Sequence, residues 1–187
     1  HAVIQGVAGQ FARFMSCGAV NDTRFVDCGI GFSGAYQKEL RNCVFNGCRT
    51  ALNAPTRNPL TLDHCVFRNN DSNWSITYQP IIAIDCEFDA LDKGAFKNAK
   101  PDVFFISKRH VVVKVLDGAG KPVRNAQVHA RPEQAPRANE YDVEFAKTNA
   151  EGRTPGPGEP GALLLSEILV APPGTEGAPP VRADYHY

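Results

Sequence analysis

The sequence predicts an all-β chain: coils of a parallel β-helix followed by a small antiparallel β-sandwich. Three observations carry this. A six-residue pattern recurs every 20 to 22 residues in the first half, the texture changes abruptly after Phe105, and helical periods and helix caps are lacking throughout.

The repeat is clearest in Leu40-Arg-Asn-Cys-Val-Phe45, Leu62-Asp-His-Cys-Val-Phe67 and Ala83-Ile-Asp-Cys-Glu-Phe88, with a weaker copy at Val20-Asn-Asp-Thr-Arg-Phe25. Each copy is apolar at its first and sixth positions and carries Thr23, Cys43, Cys65 or Cys86 at its fourth. The third position holds Asp22, Asn42, His64 or Asp85. Asn, Asp and His are the non-glycine residues that best tolerate left-handed backbone. Each copy therefore reads as strand, one-residue bend, strand. A unit of this length cannot bury its own apolar face, but it can against identical neighbours. Stacked coils would place Phe25, Phe45, Phe67 and Phe88 in one buried ladder, with Cys43, Cys65 and Cys86 in another.

The pattern Leu40-Arg-Asn-Cys-Val-Phe-Asn-Gly-Cys48 resembles the coils of the right-handed parallel β-helix superfamily, the fold of pectate lyases and related polysaccharide-active proteins. The resemblance covers residues 1–106. It implies a long β surface facing a polysaccharide or neighbouring subunits. Lyases of this fold use a basic residue to abstract a proton and carboxylates to hold Ca²⁺, so Ca²⁺ enters only if the chain is a lyase. No other cofactor and no metal site is expected.

Beyond residue 106 come short apolar runs separated by Gly and Pro turns: Val111–Leu116, Ala126–Ala130, Val143–Thr148 and Ala162–Val170. Val113-x-Val115, Asp117-x-x-Gly120-Lys-Pro-Val, Ala126-x-Val128 and Thr148-Asn-Ala-Glu-Gly152-Arg resemble the carboxypeptidase-regulatory-like, transthyretin-like module. That resemblance covers 107–187 and implies a secreted or cell-surface protein in which the module is a spacer or binding element. Both ends of the chain stop inside strand-like runs, so a fragment of a longer chain is expected.

Composition limits the function. The formal net charge is +0 and no basic run tracks a phosphate backbone, which argues against nucleic acid. No apolar stretch is long enough to span a membrane as a helix.

The residues assemble no complete catalytic set. Asp22 and Asp85 share a column, but Asn42 and His64 lie between them, and bend geometry alone explains all four. No nucleophile stands at a recognisable spacing from His64 or His129. The segment leans away from being an enzyme, and an enzyme here would be a polysaccharide lyase. Sugar-contact candidates are the aromatics Trp74, Tyr78 and Tyr36, which could stack on sugar faces, and Arg41, Arg49 and Arg68, which could bind acidic sugars. The plainer reading makes them loop plugs and surface charge. Cys28 and Cys48 align one coil apart, within the span of a disulfide.

The functional expectation is an extracellular structural or polysaccharide-binding β-helix protein. The alternatives are the C-terminal part of a polysaccharide lyase or glycoside hydrolase, and a subunit of an extracellular filament or surface layer.

Overall fold

The computed structural model describes residues 2–6, 19–34, 39–55, 58–97, 103–130, 145–170 and 181–183. They form strands and turns, with no helix among them. Contacts divide the described residues into two compact units: those within 1–107 and 168–182, and those within 108–167 and 183–187.

The first unit is a parallel β-solenoid of about four turns. Strand β1 (Ala2–Gln5) precedes the first full coil. That coil holds β2 (Val20–Asn21), β3 (Thr23–Val26) and β4 (Ile30–Ser33). The second holds β5 (Glu39–Arg41), β6 (Val44–Asn46) and β7 (Thr50–Ala54). The third holds β8 (Leu60–Asp63), β9 (Val66–Arg68) and β10 (Ser72–Ile76). The fourth holds β11 (Ile81–Ile84), β12 (Glu87–Phe88) and β13 (Gly94–Phe96). After it come β14 (Phe104–Val111), β15 (Gln127–His129), β16 (Phe145–Lys147), β17 (Leu163–Val170) and β18 (Val181–Ala183). Equivalent strands stack into three sheets, ordered β1-β3-β6-β9-β12, β4-β7-β10-β13 and β2-β5-β8-β11-β14-β17-β18.

The bends obey the backbone argument. Asp22, Asn42 and His64 have φ of 52° and Asp85 has 49°, so every third-position residue is left-handed. A second left-handed column follows five residues later at Asp27, Gly47 and Asn69. In the first three coils two such bends turn the chain from one sheet to the next without breaking the parallel register.

That register aligns the interior. Phe25, Phe45 and Phe67 are directly paired across β3, β6 and β9, and Phe67 pairs with Phe88 of β12. Their rings stack at centroid separations of 4.8, 4.8 and 4.6 Å, with planes within 11° of parallel. These spacings match the strand separation of a sheet. Leu40, Leu62 and Ala83 form a second buried ladder, led by the half-buried Val20. Phe105, Val103 and Leu169 join the same core beyond the fourth coil, and Phe105 meets the Phe88 ring edge-on at 5.6 Å.

The first compact unit runs to Ser107 and takes in residues 168–170 as well. A strand ending in buried Ile168 and Leu169 finds apolar partners there.

The second unit contains a small antiparallel sheet in which β15 pairs with β16. Val111 ends β14, and the rest of the run to Leu116 makes isolated bridges, Lys114 to Arg153 and Leu116 to Pro122. Two turns of one design frame this unit. Asp117 Oδ1 accepts from the N–H groups of Ala119 and Lys121, and Gly120 has φ of 76°. Asn149 Oδ1 accepts from Glu151 and Arg153, and Gly152 has φ of 71°. At Gly152 a methyl group would also meet the Val115 carbonyl oxygen at 2.5 Å.

Two stability outcomes follow. Phe67→Ala, at a fully buried ring, should lose about 3–5 kcal/mol in urea unfolding, and Phe88→Ala should lose less because Phe88 is only partly buried. Gly152→Ala should cost at least about 1–2 kcal/mol from the left-handed backbone alone.

Candidate functional site

Side chains alternate along β3, β6, β9 and β12, so the residues flanking the Phe ladder face away from it. Two outer columns result. One runs Val3, Arg24, Val44, Val66, Glu87, and the other runs Gln5, Val26, Asn46, Arg68. Together they floor an open groove of about 480 Å³ lined by Arg24, Val44, Asn46, Val66, Arg68, Asn69 and Glu87.

In the groove Val44 and Val66 lie between Arg24 and Glu87 in one column, and Asn46 and Arg68 lie beside them in the other. Val44 and Val66 are half-buried, whereas Arg24, Arg68 and Glu87 are exposed. Arg68 Nη2 lies 2.7 Å from Glu87 Oε2. Both side chains are more than 60% exposed, so this pair adds little stability and remains open to competition by a ligand. Asn69 Nδ2 donates to Asn46 Oδ1 at 2.9 Å. Among the described residues, no carboxylate pairs with Arg24. The arrangement offers guanidinium and amide groups to hydroxyls or carboxylates, over an apolar floor suited to a sugar face.

A polar network supports one margin. Asn69 N and Ala90 N donate to the Asp89 carboxylate, and Asn73 Nδ2 donates to Asp89 Oδ1 at 2.9 Å. Buried Asn70 donates to Asn73 Oδ1 and to the Phe45 carbonyl, and accepts from Cys48 N. Partial burial would raise the Asp89 carboxyl, but the donors Asn73, Asn69 and Ala90, with the Lys93 charge, hold it below its ordinary value.

A second polar cluster lies at the first bend. His64 Nδ1 is 2.6 Å from Asp63 Oδ1, and His64 Nε2 is 4.0 Å from Asp85 Oδ2. Arg41 bridges Glu39 and Asp63, and the hydrogen bond to Glu39, then the charges of both carboxylates, raise its guanidinium further. The described residues place no nucleophile in contact with His64, and no three His, Cys, Asp or Glu side chains gather where a metal could sit.

The sequence candidates scatter over this scaffold. Arg68 lines the groove. Arg41 lies on β5 within its own ion pairs, and Arg49 is exposed just before β7. Tyr78 is half-exposed between β10 and β11. Tyr36 lies outside the described residues. Trp74 is a correction: it is fully buried, stacked on Phe105 at 4.9 Å and edge-on to Phe96 at 5.0 Å. Its Nε1–H is spent on the Leu91 carbonyl, and the next position in its column is Gly94, where a methyl would overlap the ring. No sugar can stack on it. Arg24 was missed, although its place one residue before Phe25 marks it as outward-facing.

Among the described residues, Cys28, Cys43, Cys48, Cys65 and Cys86 are buried and free. Cys28 and Cys48 stack in one column without a bridge. Cys28 Sγ points to the Val26 and Ile4 carbonyls, and Cys48 Sγ to those of Phe25 and Asn46. Burial pushes the Cys48 thiol up to about 11.

Searches of protein-family models, of curated proteins and of solved structures found no match to this chain.

The network at Asp89 makes a pH prediction. A carboxyl held low in the fold contributes stability above its unfolded value of about 3.9, and that contribution disappears as pH falls through the folded value. Asp89→Asn should therefore be less stable than the parent at neutral pH. The gap should narrow below about pH 4 in acid-unfolding curves.

Proposed function

We propose that this chain is an extracellular structural or polysaccharide-binding β-solenoid protein whose ligand lies along the groove of β3, β6, β9 and β12. The observation that carries the reading is the groove itself. It combines an apolar floor of Val44 and Val66 with Arg24, Arg68, Asn46 and Asn69. Asn46 and Arg68 stand side by side on adjacent coils, about 4.8 Å apart, and suit the polar groups of an extended ligand. The guanidinium groups favour acidic sugars, and the amides suit hydroxyls.

The coil pattern resembles that of polysaccharide-active β-helix proteins, and the Asp117 and Asn149 turns resemble those of the transthyretin-like module. Both resemblances favour a secreted or cell-surface setting. Neither assigns a site, since fold does not fix function. Among the described residues, a lyase reading lacks convergent carboxylates for Ca²⁺ and a placed base in the groove. A filament reading is disfavoured at one end, where Phe105, Val103 and Leu169 continue the core beyond the last Phe.

The test is binding of the whole chain to polygalacturonate, alginate and a neutral glucan, with and without Ca²⁺. An acidic polymer should bind, more weakly at high salt, and Arg24→Ala with Arg68→Ala should weaken it by about tenfold, ~1.4 kcal/mol. Absence of binding, or binding indifferent to both substitutions, would overturn the proposal. Release of unsaturated uronate products would replace it with the lyase reading.

A further inference from the structure

Cys43, Cys65 and Cys86 occupy the position after the first bend in three consecutive coils, and each is at most 2% exposed. Their strands are in parallel register, Leu40 with Leu62 and Leu62 with Ala83. Cys43 Sγ points to the Val20 and Arg41 carbonyls, and Cys65 Sγ, one coil on, points to those of Leu40 and Asp63. The backbone N–H of Cys65 also donates to Cys86 Sγ at 3.3 Å. Neighbouring coils sit about 4.8 Å apart, inside the Cα separations that a disulfide spans, about 4.4–6.8 Å. Cys43 and Cys86 are two coils apart, roughly 9.6 Å, and cannot be bridged.

We infer that this column is a redox-responsive staple with Cys65 as its shared partner, closing one disulfide at a time to Cys43 or to Cys86. The oxidant is a low-molecular-weight disulfide such as oxidised glutathione. A column thiolate attacks it, giving a mixed disulfide and one glutathione. The neighbouring thiol, after losing its proton, attacks the protein sulfur of that mixed disulfide and expels the second glutathione. Two column thiols are oxidised and one glutathione disulfide is reduced to two thiols. The third column thiol then touches the new disulfide along the column, where exchange can move the bridge from one coil pair to the other.

The environment makes closure slow. Exchange needs a thiolate. The neighbouring Cys65 thiol and then burial raise the Cys43 thiol far above its ordinary range. At Cys65 the Cys43 thiol acts downward, but Cys86 and burial outweigh it and leave the thiol at about 12. Oxidation therefore proceeds through transient opening of a coil, and the staple locks coils that have opened and closed again. This inference is independent of the proposed ligand.

The experiment incubates the full chain with oxidised glutathione, blocks free thiols, and maps disulfide peptides by mass spectrometry. Cys43–Cys65 and Cys65–Cys86 linkages should both be found, with Cys43–Cys86 absent. Cys43→Ser and Cys86→Ser should each retain the remaining linkage, and Cys65→Ser should abolish both. The parent map alone decides the matter if Cys65→Ser fails to fold. The oxidised parent should melt at a higher temperature than the reduced one, and dithiothreitol should reverse the shift. Glutathione adducts alone, linkages confined to other cysteines, a Cys43–Cys86 linkage, or an unchanged melting temperature would overturn the inference.

Discussion

The structure depends on one constraint: successive coils must have nearly the same length and turn at the same two places, so that identical side chains superpose. Stacking of Phe25, Phe45, Phe67 and Phe88 at 4.6–4.8 Å is the result. A shift of one residue in any coil would send its Phe to the outer face and Arg24, Val44, Val66 or Glu87 inward. Interior packing and backbone conformation thus reinforce each other. Left-handed Asp22, Asn42, His64 and Asp85 keep the coils in phase, and the phased coils bury the rings.

The same constraint builds the outer surface. Residues that alternate with the core ladder must form columns too, and these columns become the groove. Its Arg24, Asn46 and Arg68 come from different coils and meet only because the register holds. The Asn70–Asn73–Asp89 network then ties the second bend of the third coil to the fourth, at the margin where Asn69 meets the groove. Support and surface are therefore two aspects of one repeat.

The solenoid was legible in the sequence because its signals are local and periodic. Bend residues announce themselves by type, and core residues by recurrence. The second bend was harder to see, because the left-handed column of Asp27, Gly47 and Asn69 has no counterpart in the fourth coil, where Ala90 stands. The candidate site was less legible still. An aromatic such as Trp74 reads equally well as a loop ring or a core ring, and its burial depends on Gly94 and Phe105 from distant segments. Arg41 and Arg68 look alike in the chain, yet Glu39 and Asp63 occupy the first while the second lines the groove. In the second unit the turns at Asp117 and Asn149 follow from their Gly and Asx residues, but after Val111 the run to Leu116 makes bridges in place of a continuous strand.

Proton–proton contacts between assigned phenylalanine rings in solution test the coil register most directly. The account requires cross-peaks between Phe25 and Phe45, Phe45 and Phe67, and Phe67 and Phe88, with none between Phe25 and Phe67. Rings lacking these contacts, or contacts that skip a coil, would contradict it.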